Sequence, residues 1–354
     1  MTNVGQISES LTDSIIQEYG INVDATEQIT LNNARVSEGT RIYEVRHASV
    51  RTYLIDTPMT RRIACHPHVV GEQLDKLALA AAERAFPVIL ELSNFERDEQ
   101  LVFEQILRAA PGYKLHTAAE KQLQGSFRTV YVRPQYTHTS YREHDGMVQR
   151  QLRVVYENFS ELPKGQEIFL IMQDTVASGR SGEVAIKALL DQCELAGSRI
   201  KKWILYGFIS SHGLAVLENI AKRHGIPLVA FAMGNLTALC SNNYDMPLYG
   251  VDESLWDKKH LVSKLGALVD RDTLTEYMRE FIPGADQPGD WSARQLKLFT
   301  GLGHEDGNIN GHLENSARLI KSLMSIGYFA DWQKDLALEE LRRIDDQLAT
   351  SRML

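Results

Sequence analysis

The sequence predicts an α/β protein, with a parallel sheet flanked by helices, a β-hairpin flap and a helical C-terminal extension. The main evidence is three uniformly apolar segments, 167–172, 202–209 and 226–233, which amphipathic segments separate. Strands that are apolar along their whole length are typical of parallel sheets covered by helices on both faces. Residues 256–354 show helical periodicity and no strand pattern, which predicts the helical extension.

The composition is that of a globular chain long enough for roughly two domains at ~150 residues each. Of its 354 residues 44% are hydrophobic, and 46 acidic against 38 basic side chains give a formal charge of −8. This balance argues against a nucleic-acid partner, because phosphate backbones are bound by basic surfaces. The three cysteines are scattered, which favours free thiols, and no apolar run is long enough to span a membrane. We therefore expect a cytoplasmic protein without a membrane partner.

The first third of the chain predicts three elements after a polar N-terminal arm or cap, residues 1–64. An alanine- and leucine-rich stripe predicts a helix over 69–85, which Pro87 ends. The apolar run 87–92 predicts a short buried strand, and residues 98–110 predict a second helix.

Residues 127–134 and 151–158 alternate β-branched or aromatic residues with polar ones, which predicts two half-buried antiparallel strands. The polar and aromatic segment between them is expected to be a flap that closes over a site and excludes water. An ordinary solvated hairpin loop is the alternative. The candidate closing side chains are Tyr136, His138, Tyr141, Arg142 and His144.

The loop after the strand 167–172 is predicted to bind an anion. Asp174 follows the strand, small and hydroxyl residues come next, and a helix begins immediately afterwards. The N–H groups of residues 177–181 can converge on a phosphate, and the helix N-terminus adds positive potential. Gly179 lets the backbone approach the ligand closely. The alternative is a plain strand–helix turn in which Ser181 caps the helix.

This loop resembles the 5-phosphoribosyl 1-diphosphate (PRPP) binding signature of type I phosphoribosyltransferases, in which four apolar residues precede two acidic positions and a small-Thr-Gly-x-Ser/Thr run. The more specific resemblance is to uracil phosphoribosyltransferase, with a diverged pyrophosphate loop. Residues 207–235 resemble that family's following strand, helix and strand, and residues 243–252 resemble its uracil-recognition loop. The resemblance implies an N-terminal arm or cap over 1–64, a phosphoribosyltransferase-like domain over 65–255, and a helical extension over 256–354.

The resemblance also implies roles for individual residues. Asp174 and Asp252 are the implied catalytic carboxylates, with Asp174 on the ribose hydroxyls and Asp252 near the metal-bound pyrophosphate. Mg²⁺ is the implied cofactor, bound through the pyrophosphate rather than by protein ligands. The other implied contacts are Ala177, Ser178, Gly179, Arg180 and Ser181 for the 5-phosphate, Thr175 for ribose and pyrophosphate, and Tyr244, Met246 and Gly250 for the base.

Three positions depart from the family pattern. Gln173 stands where an acidic residue is common, and Arg180 replaces a usual glycine, which adds charge near the phosphate. Glu91-Leu92-Ser93-Asn94 stands where the pyrophosphate loop has Arg-Ala-Gly, and a glutamate there would repel pyrophosphate by on the order of a few kcal/mol. Either PRPP is not the ligand, or its pyrophosphate is held by other cations, for which the candidates are Arg97, Arg128 and Arg133.

The implied function is PRPP-dependent transfer of ribose 5-phosphate to a pyrimidine-like or other small heterocyclic acceptor, with release of pyrophosphate, by a homodimeric enzyme. Two alternatives stay open. One is a non-catalytic phosphoribosyltransferase-like protein that senses a nucleotide and regulates a partner. The other is a lyase or hydrolase that acts on phosphorylated sugars through the same anion site.

Two metal-binding patterns are set aside. Cys65-His66-Pro67-His68 is not followed by a second ligand pair with structural-zinc spacing. Residues 306–311 copy the first half of a calcium loop, but Ala317 occupies the twelfth position, where a bidentate glutamate is required.

Overall fold

The computed structural model describes residues 7–32, 36–96, 99–138, 150–252 and 266–351. In these segments nine strands form one central sheet, and two short strands form a separate hairpin. The sheet strands are β1 (Thr26–Gln28), β2 (Arg41–Val45), β3 (Arg51–Asp56), β4 (Gln100–Ile106), β5 (Arg128–His138), β6 (Arg150–Asn158), β7 (Glu167–Gln173), β8 (Arg199–Ser210) and β9 (Leu228–Thr237). The hairpin strands are β10 (Lys297–Phe299) and β11 (His304–Asp306).

The sheet order is β1-β2-β3-β9-β8-β7-β4-β5-β6. Each neighbouring pair from β3 to β5 is parallel, whereas β1 and β2 at one edge and β6 at the other are antiparallel to their neighbours. Within the described residues the helices are α1 (Glu9–Tyr19), α2 (Pro58–Cys65), α3 (Gly71–Leu92), α4 (Leu115–Leu123), α5 (Arg180–Ala196), α6 (Ser211–Arg223), α7 (Arg271–Met278), α8 (Trp291–Arg294), α9 (Ile309–Ser325) and α10 (Asp331–Ser351). The predicted α/β class is confirmed.

Helices cover both faces of the sheet. On β7, Phe169 and Ile171 join a core cluster shared with α2, α3, α4 and the C-terminal helices, while Leu170 and Met172 join a second cluster formed with α5 and α6. Successive side chains of a strand point to opposite faces, so a strand between two helical layers must be apolar at every position. This explains the continuous apolar runs on which the prediction of the fold rested.

The predicted strand over 87–92 is wrong, because α3 continues to Leu92 with Pro87 inside it. Proline lacks an N–H donor and costs about 3 kcal/mol in a helix interior. Burial of Phe86, Val88 and Ile89 against the core offsets this cost, and each of these side chains is at most 1% exposed. The six-residue apolar run is therefore the buried end of a helix.

The predicted helix over 98–110 is also wrong. Residues 100–106 form β4, which lies between β7 and β5 near the middle of the sheet. Glu104 and Gln105 imitate the polar face of a helix in the sequence, but both are buried, at 0% and 1% exposure. The periodicity of apolar residues cannot predict that two polar side chains are buried in a central strand.

The parts of the chain outside residues 65–255 form strands as well as helices. Residues 26–56 provide the sheet strands β1 to β3, and the β10–β11 hairpin contradicts the expectation that residues 256–354 contain no strand. The three-unit division of the chain stays a prediction. The antiparallel pair β5–β6 forms the predicted hairpin, whereas its loop, with Tyr141, Arg142 and His144, lies outside the described residues.

The three cysteines Cys65, Cys193 and Cys240 are buried free thiols, as expected. Among the described helices, none combines the length and the apolar character that a bilayer crossing requires.

Candidate functional site

A cavity of about 490 Å³ opens at the carboxyl ends of β4 and β7. Parallel sheets bind ligands at this edge, because loops and helix N-termini converge there. Of the residues predicted to bind ligand, the cavity is lined by Asp174, Thr175, Ala177, Ser178, Gly179, Arg180, Ser181, Arg133 and Tyr244. The flap candidate Tyr136 also lines it.

The loop between β7 and α5 is held firmly by β8. The N–H groups of Asp174 and Val176 donate to the carbonyls of Tyr206 and Phe208, at 3.0 and 2.8 Å. The Ser210 hydroxyl donates to the Ala177 carbonyl and accepts the Gly213 N–H at 2.9 Å, so it also caps α6. The loop is therefore a rigid continuation of the sheet.

The N-terminus of α5 faces this cavity without a capping side chain. Gly179 occupies the N-cap position with φ of 75°, and no side chain bonds to the first turn. The alternative turn with Ser181 as N-cap is therefore wrong. A Cβ at Gly179 would lie 2.9 Å from the Gly213 carbonyl oxygen and 3.0 Å from the Val216 Cβ. Free N–H groups at a helix N-terminus beside a cavity favour an anionic ligand.

Asp174 and Glu104 place two carboxyl groups below this loop. Asp174 is 5% exposed, and burial raises its pKa to about 8. Burial, and next the charge of Asp174, raise the pKa of Glu104 to about 8, and among the described residues neither carboxyl oxygen of Glu104 has a hydrogen-bond partner. Burial therefore favours the protonated form of both carboxyl groups.

Gln173 points away from Asp174 and belongs to a buried amide network. Its Nε2 donates to Gln105 Oε1 at 2.9 Å and lies 2.9 Å from His116 Nδ1, while its Oε1 accepts the Leu115 N–H at 2.8 Å. Burial, and next the charge of Lys114, lower the pKa of His116 to about 4, so this imidazole is neutral and its Nδ1 accepts the amide proton. Gln173, which stands where the family pattern has an acidic residue, therefore has a structural role in this network.

A cation that was not among the predicted site residues, Arg108, stands just beyond the end of β4. Arg108 and Ala109 follow Leu107, and both line the cavity. The Leu107–Arg108 peptide bond is cis. Glu91 instead lies in the last turn of α3, where its Oε1 accepts the Asn32 N–H at 2.7 Å. Glu91 therefore does not follow a strand, and the expected divergence of a pyrophosphate loop stays a prediction.

Of the three arginines proposed for pyrophosphate, only Arg133 reaches the described cavity. Arg128 pairs with Val102 near the start of β4, whereas Val132 pairs with Ile106 at its end, so Arg128 lies toward the amino edge of the sheet. Arg97 falls outside the described residues.

Arg108 and Arg133 are both tied to the β10–β11 hairpin. Arg108 forms an ion pair with Glu305, and the Arg133 Nη1 donates to the Thr300 carbonyl at 3.3 Å. Burial, and next the charge of Arg108, lower the pKa of Arg133. Two neighbouring cations opposite a helix N-terminus form a site suited to a ligand with two phosphate groups.

The predicted base-recognition loop is mostly covered by the C-terminal extension. Met246 is fully buried, and its N–H donates to Asp286 Oδ1 at 2.8 Å. A Cβ at Gly250 would lie 2.0 Å from the Gly284 nitrogen. Neither residue lines the cavity, so only Tyr244 of the three predicted base contacts is placed there.

Asp252 is likewise outside the cavity lining. It is 1% exposed, and its Oδ2 accepts the N–H and the hydroxyl of Ser241 at 2.8 and 2.6 Å. This geometry does not support its predicted place beside the metal-bound pyrophosphate.

Neither a protein-family model nor a curated protein matches the chain. Solved structures match it weakly. Adenine phosphoribosyltransferase from Trypanosoma brucei, in complex with AMP, pyrophosphate and ribose-5-phosphate, is 11% identical over 56% of this chain and 89% of that chain, with a TM-score of 0.33. Orotate phosphoribosyltransferase from Francisella tularensis is 10% identical over 62% and 84%, with a TM-score of 0.28. Adenine phosphoribosyltransferase from Thermoanaerobacter pseudethanolicus is 16% identical over 46% and 86%, with a TM-score of 0.28. At these values the similarity carries no conclusion about activity.

The sequence did not predict that the C-terminal extension lines one side of the cavity. Asp286, Asp290 and Trp291 line the cavity, although the segment 283–290 shows only the proline and glycine of a helix break. Trp291 stacks on Tyr113 with ring centroids 4.3 Å apart, and the Tyr113 hydroxyl bonds to the Thr175 hydroxyl. The extension is thereby coupled directly to the predicted ribose contact.

Proposed function

We propose that the protein is a PRPP-dependent phosphoribosyltransferase that transfers ribose 5-phosphate to a small heterocyclic acceptor and releases pyrophosphate. The observation that carries the proposal is one cavity that joins the uncapped N-terminus of α5 to Arg108 and Arg133. PRPP carries a monophosphate and a diphosphate on opposite sides of a ribose, and this cavity offers an anion site at each side.

The proposed division of contacts follows the lining of the cavity. The backbone of residues 177–181 takes the 5-phosphate, and Asp174 with Thr175 takes the ribose hydroxyls. Arg108 and Arg133 take the pyrophosphate. Mg²⁺ fits this site because it prefers oxygen ligands and keeps several waters, and Asp174 and Thr175 carry side-chain oxygens in the cavity lining. When bound, Mg²⁺ would neutralise charge on the departing pyrophosphate.

The protein's own contribution is positioning and charge stabilisation. The bond from the anomeric carbon to pyrophosphate breaks as the acceptor nitrogen bonds to the same carbon, through a transition state of oxocarbenium character. The guanidinium groups of Arg108 and Arg133 stabilise the negative charge that develops on pyrophosphate. Tyr136 on the β5–β6 hairpin lies where a closing flap would exclude water.

The acceptor is proposed to bind between Tyr244 and residues 286–291. Tyr244 is 58% exposed and offers an aromatic face, while Asp286 and Asp290 offer oxygens to ring N–H groups. The resemblance to uracil phosphoribosyltransferase supports a pyrimidine-like ring. A cytoplasmic homodimer remains part of the proposal, and light scattering of the purified chain tests the dimer.

The experiment measures pyrophosphate release with PRPP, Mg²⁺ and a panel of heterocyclic bases, omitting each component in turn. Acceptor-dependent release supports transfer. Nucleotide binding without release supports the regulatory sensor, and release without an acceptor supports a hydrolase. If neither PRPP nor a ribonucleotide shifts the melting temperature, the anion site itself is wrong.

Matched arginine variants assign the pyrophosphate contact. Arg108→Ala is expected to reduce kcat/KM at least tenfold, because one charge-assisted contact is lost in the transition state. Arg128→Ala, which removes the same side chain at the other edge of the sheet, is expected to leave kcat/KM within twofold. Equal effects of the two changes would contradict the assignment.

A further inference from the structure

We propose that His66, His68 and Glu340 form a binding site for one transition-metal ion, with Zn²⁺ as the best fit. The sequence places His66 and His68 two positions apart, next to Cys65, but offers no second ligand pair with zinc spacing. The fold supplies a third ligand from α10, more than 270 residues along the chain. One ring nitrogen of each histidine and a carboxylate oxygen of Glu340 all lie within 4.8 Å of one another.

Both imidazoles face the same carboxylate through the same ring atom. His66 Nδ1 lies 3.0 Å from Glu340 Oε2, and His68 Nδ1 lies 2.8 Å from Glu340 Oε1. In a tetrahedral zinc site, bonds of about 2.0–2.1 Å put neighbouring ligand atoms about 3.3 Å apart. Each of the two nitrogen–oxygen separations therefore lies within about half an ångström of the value for a zinc site.

The surroundings orient these ligands as in known zinc sites. The other ring nitrogen of His66, Nε2, lies 3.1 Å from Glu280 Oε2. Such a carboxylate fixes the tautomer in which Nδ1 is free for a metal. The His68 backbone N–H donates to Glu340 Oε1 at 3.0 Å and orients the third ligand.

Charge and burial both favour a divalent cation. The side chains of Glu340 and His68 are 2% and 9% exposed, and that of His66 is 12% exposed, which leaves a path for the ion. The carboxylates of Glu340 and Glu280 carry a charge of −2, and Arg343, whose Nη1 lies 3.8 Å from Glu340 Oε2, reduces it to −1. The cluster therefore stays negatively charged and attracts a cation. Imidazole ligands favour zinc over magnesium or calcium, which prefer oxygen.

The ion would fasten the C-terminal helix to the rim of the cavity. His66 and His68 lie in the connection between α2 and α3, and the carbonyls of Ile63, His66 and Val69 in this region accept hydrogen bonds from Arg294 of α8. Because α8 also carries Trp291, which lines the cavity, zinc bound to His66 and His68 would stabilise this side of the cavity through Arg294. The proposal stands independently of the phosphoribosyl transfer.

The test uses the full chain, stripped with a chelator and titrated with Zn²⁺. One equivalent of zinc is expected to remain after gel filtration, with a higher melting temperature than the stripped protein. Co²⁺ in place of Zn²⁺ is expected to produce the visible absorption of a tetrahedral nitrogen–oxygen site. Glu340→Gln is expected to lose both signals, while its amide can still accept the His68 N–H bond and keep the chain folded.

Two further variants separate a metal site from a hydrogen-bonded cluster. Glu280→Gln, which changes only the orienting partner, is expected to weaken zinc binding 10–100-fold. Glu339→Gln, one residue from the proposed ligand on the exposed side of α10, is expected to bind zinc like the wild type. If the wild type retains no zinc, or if Glu340→Gln retains as much as the wild type, the proposal is overturned.

Discussion

Arg108, at the carboxyl end of β4, forms an ion pair with Glu305 of β11 in the C-terminal extension. The side chains are 39% and 38% exposed, and exposed ion pairs contribute only about 0–1 kcal/mol. A bound pyrophosphate, with more charge than one carboxylate, would therefore replace Glu305 at little cost. We therefore expect Glu305 to compete only weakly for Arg108, the cation proposed to bind pyrophosphate.

The first prediction concerns this competition. Glu305→Gln is expected to tighten PRPP binding by up to about fivefold, because Arg108 loses its competing anion. Isothermal titration calorimetry measures the dissociation constant. The control is Asp306→Asn, which removes the neighbouring carboxylate that pairs with Lys297 and is expected to change little. Weaker PRPP binding by Glu305→Gln would show that the carboxylate positions Arg108 rather than competing for it.

The second prediction concerns the turn at the N-terminus of α5. Gly179→Ala is expected to abolish measurable phosphate binding and to destabilise the fold by more than about 2 kcal/mol, since it combines a positive φ with contacts below 3.4 Å. Gly165→Ala is the control, because Gly165 also has a positive φ, of 65°, but no atom lies within 4 Å of its added Cβ. This control is expected to cost about 1 kcal/mol and to bind phosphate normally. Urea unfolding and calorimetry measure both quantities, and similar losses in the two variants would contradict the close-packing argument.

The third prediction concerns the pH dependence of stability. The Glu104 carboxyl has its pKa raised from 4.5 to about 8, so between these values the folded state holds a proton that the unfolded state has lost. The free energy of unfolding therefore falls by up to roughly 5 kcal/mol as pH rises from about 4.5 to 8, and then levels off. Glu104→Leu is expected to flatten this slope and to be more stable than the wild type at pH 8.

Urea unfolding at pH 5, 6.5 and 8 measures this slope. Glu120→Gln, which removes an exposed carboxyl on α4, is expected to keep the wild-type slope. Asp174 remains in both variants, and its own raised pKa leaves part of the slope in Glu104→Leu. A Glu104→Leu variant whose stability falls with pH as steeply as the wild type would show that Glu104 is not the group responsible.

The fourth prediction concerns Arg294, which is 1% exposed and donates to four backbone carbonyls. Arg294→Leu is expected to cost more than about 3 kcal/mol, because these buried oxygens lose their donors. Arg342→Leu, which breaks exposed ion pairs on α10, is expected to cost less than about 1 kcal/mol. Thermal unfolding of both variants tests the difference, and a cost for Arg294→Leu as small as that of Arg342→Leu would disprove its role as an anchor.

Local pattern was sufficient to predict β7, β8, β9 and the turn from β7 into α5 between Asp174 and Ser181. Each of these depends on information within one short segment: side chains apolar at every position mark a strand covered on both sides, and glycine with hydroxyl residues marks a turn into a helix. The same reasoning failed at β4. There Glu104 and Gln105 are buried between β5 and β7, which are distant in sequence. In the sequence, these two polar residues look like the exposed face of an amphipathic helix.

The composition of the cavity depends on contacts between segments far apart in the chain. Arg108 meets the loop at Asp174 because β4 and β7 are neighbours in the sheet, and no periodicity encodes that order. Asp286 bonds to Met246 and also lines the cavity, which the sequence did not predict. Residue spacing reports local backbone geometry, whereas strand order and the docking of α8 are set by the burial of the whole core. The sequence therefore predicted the turn at residues 174–181, and the packed chain determined what faces it.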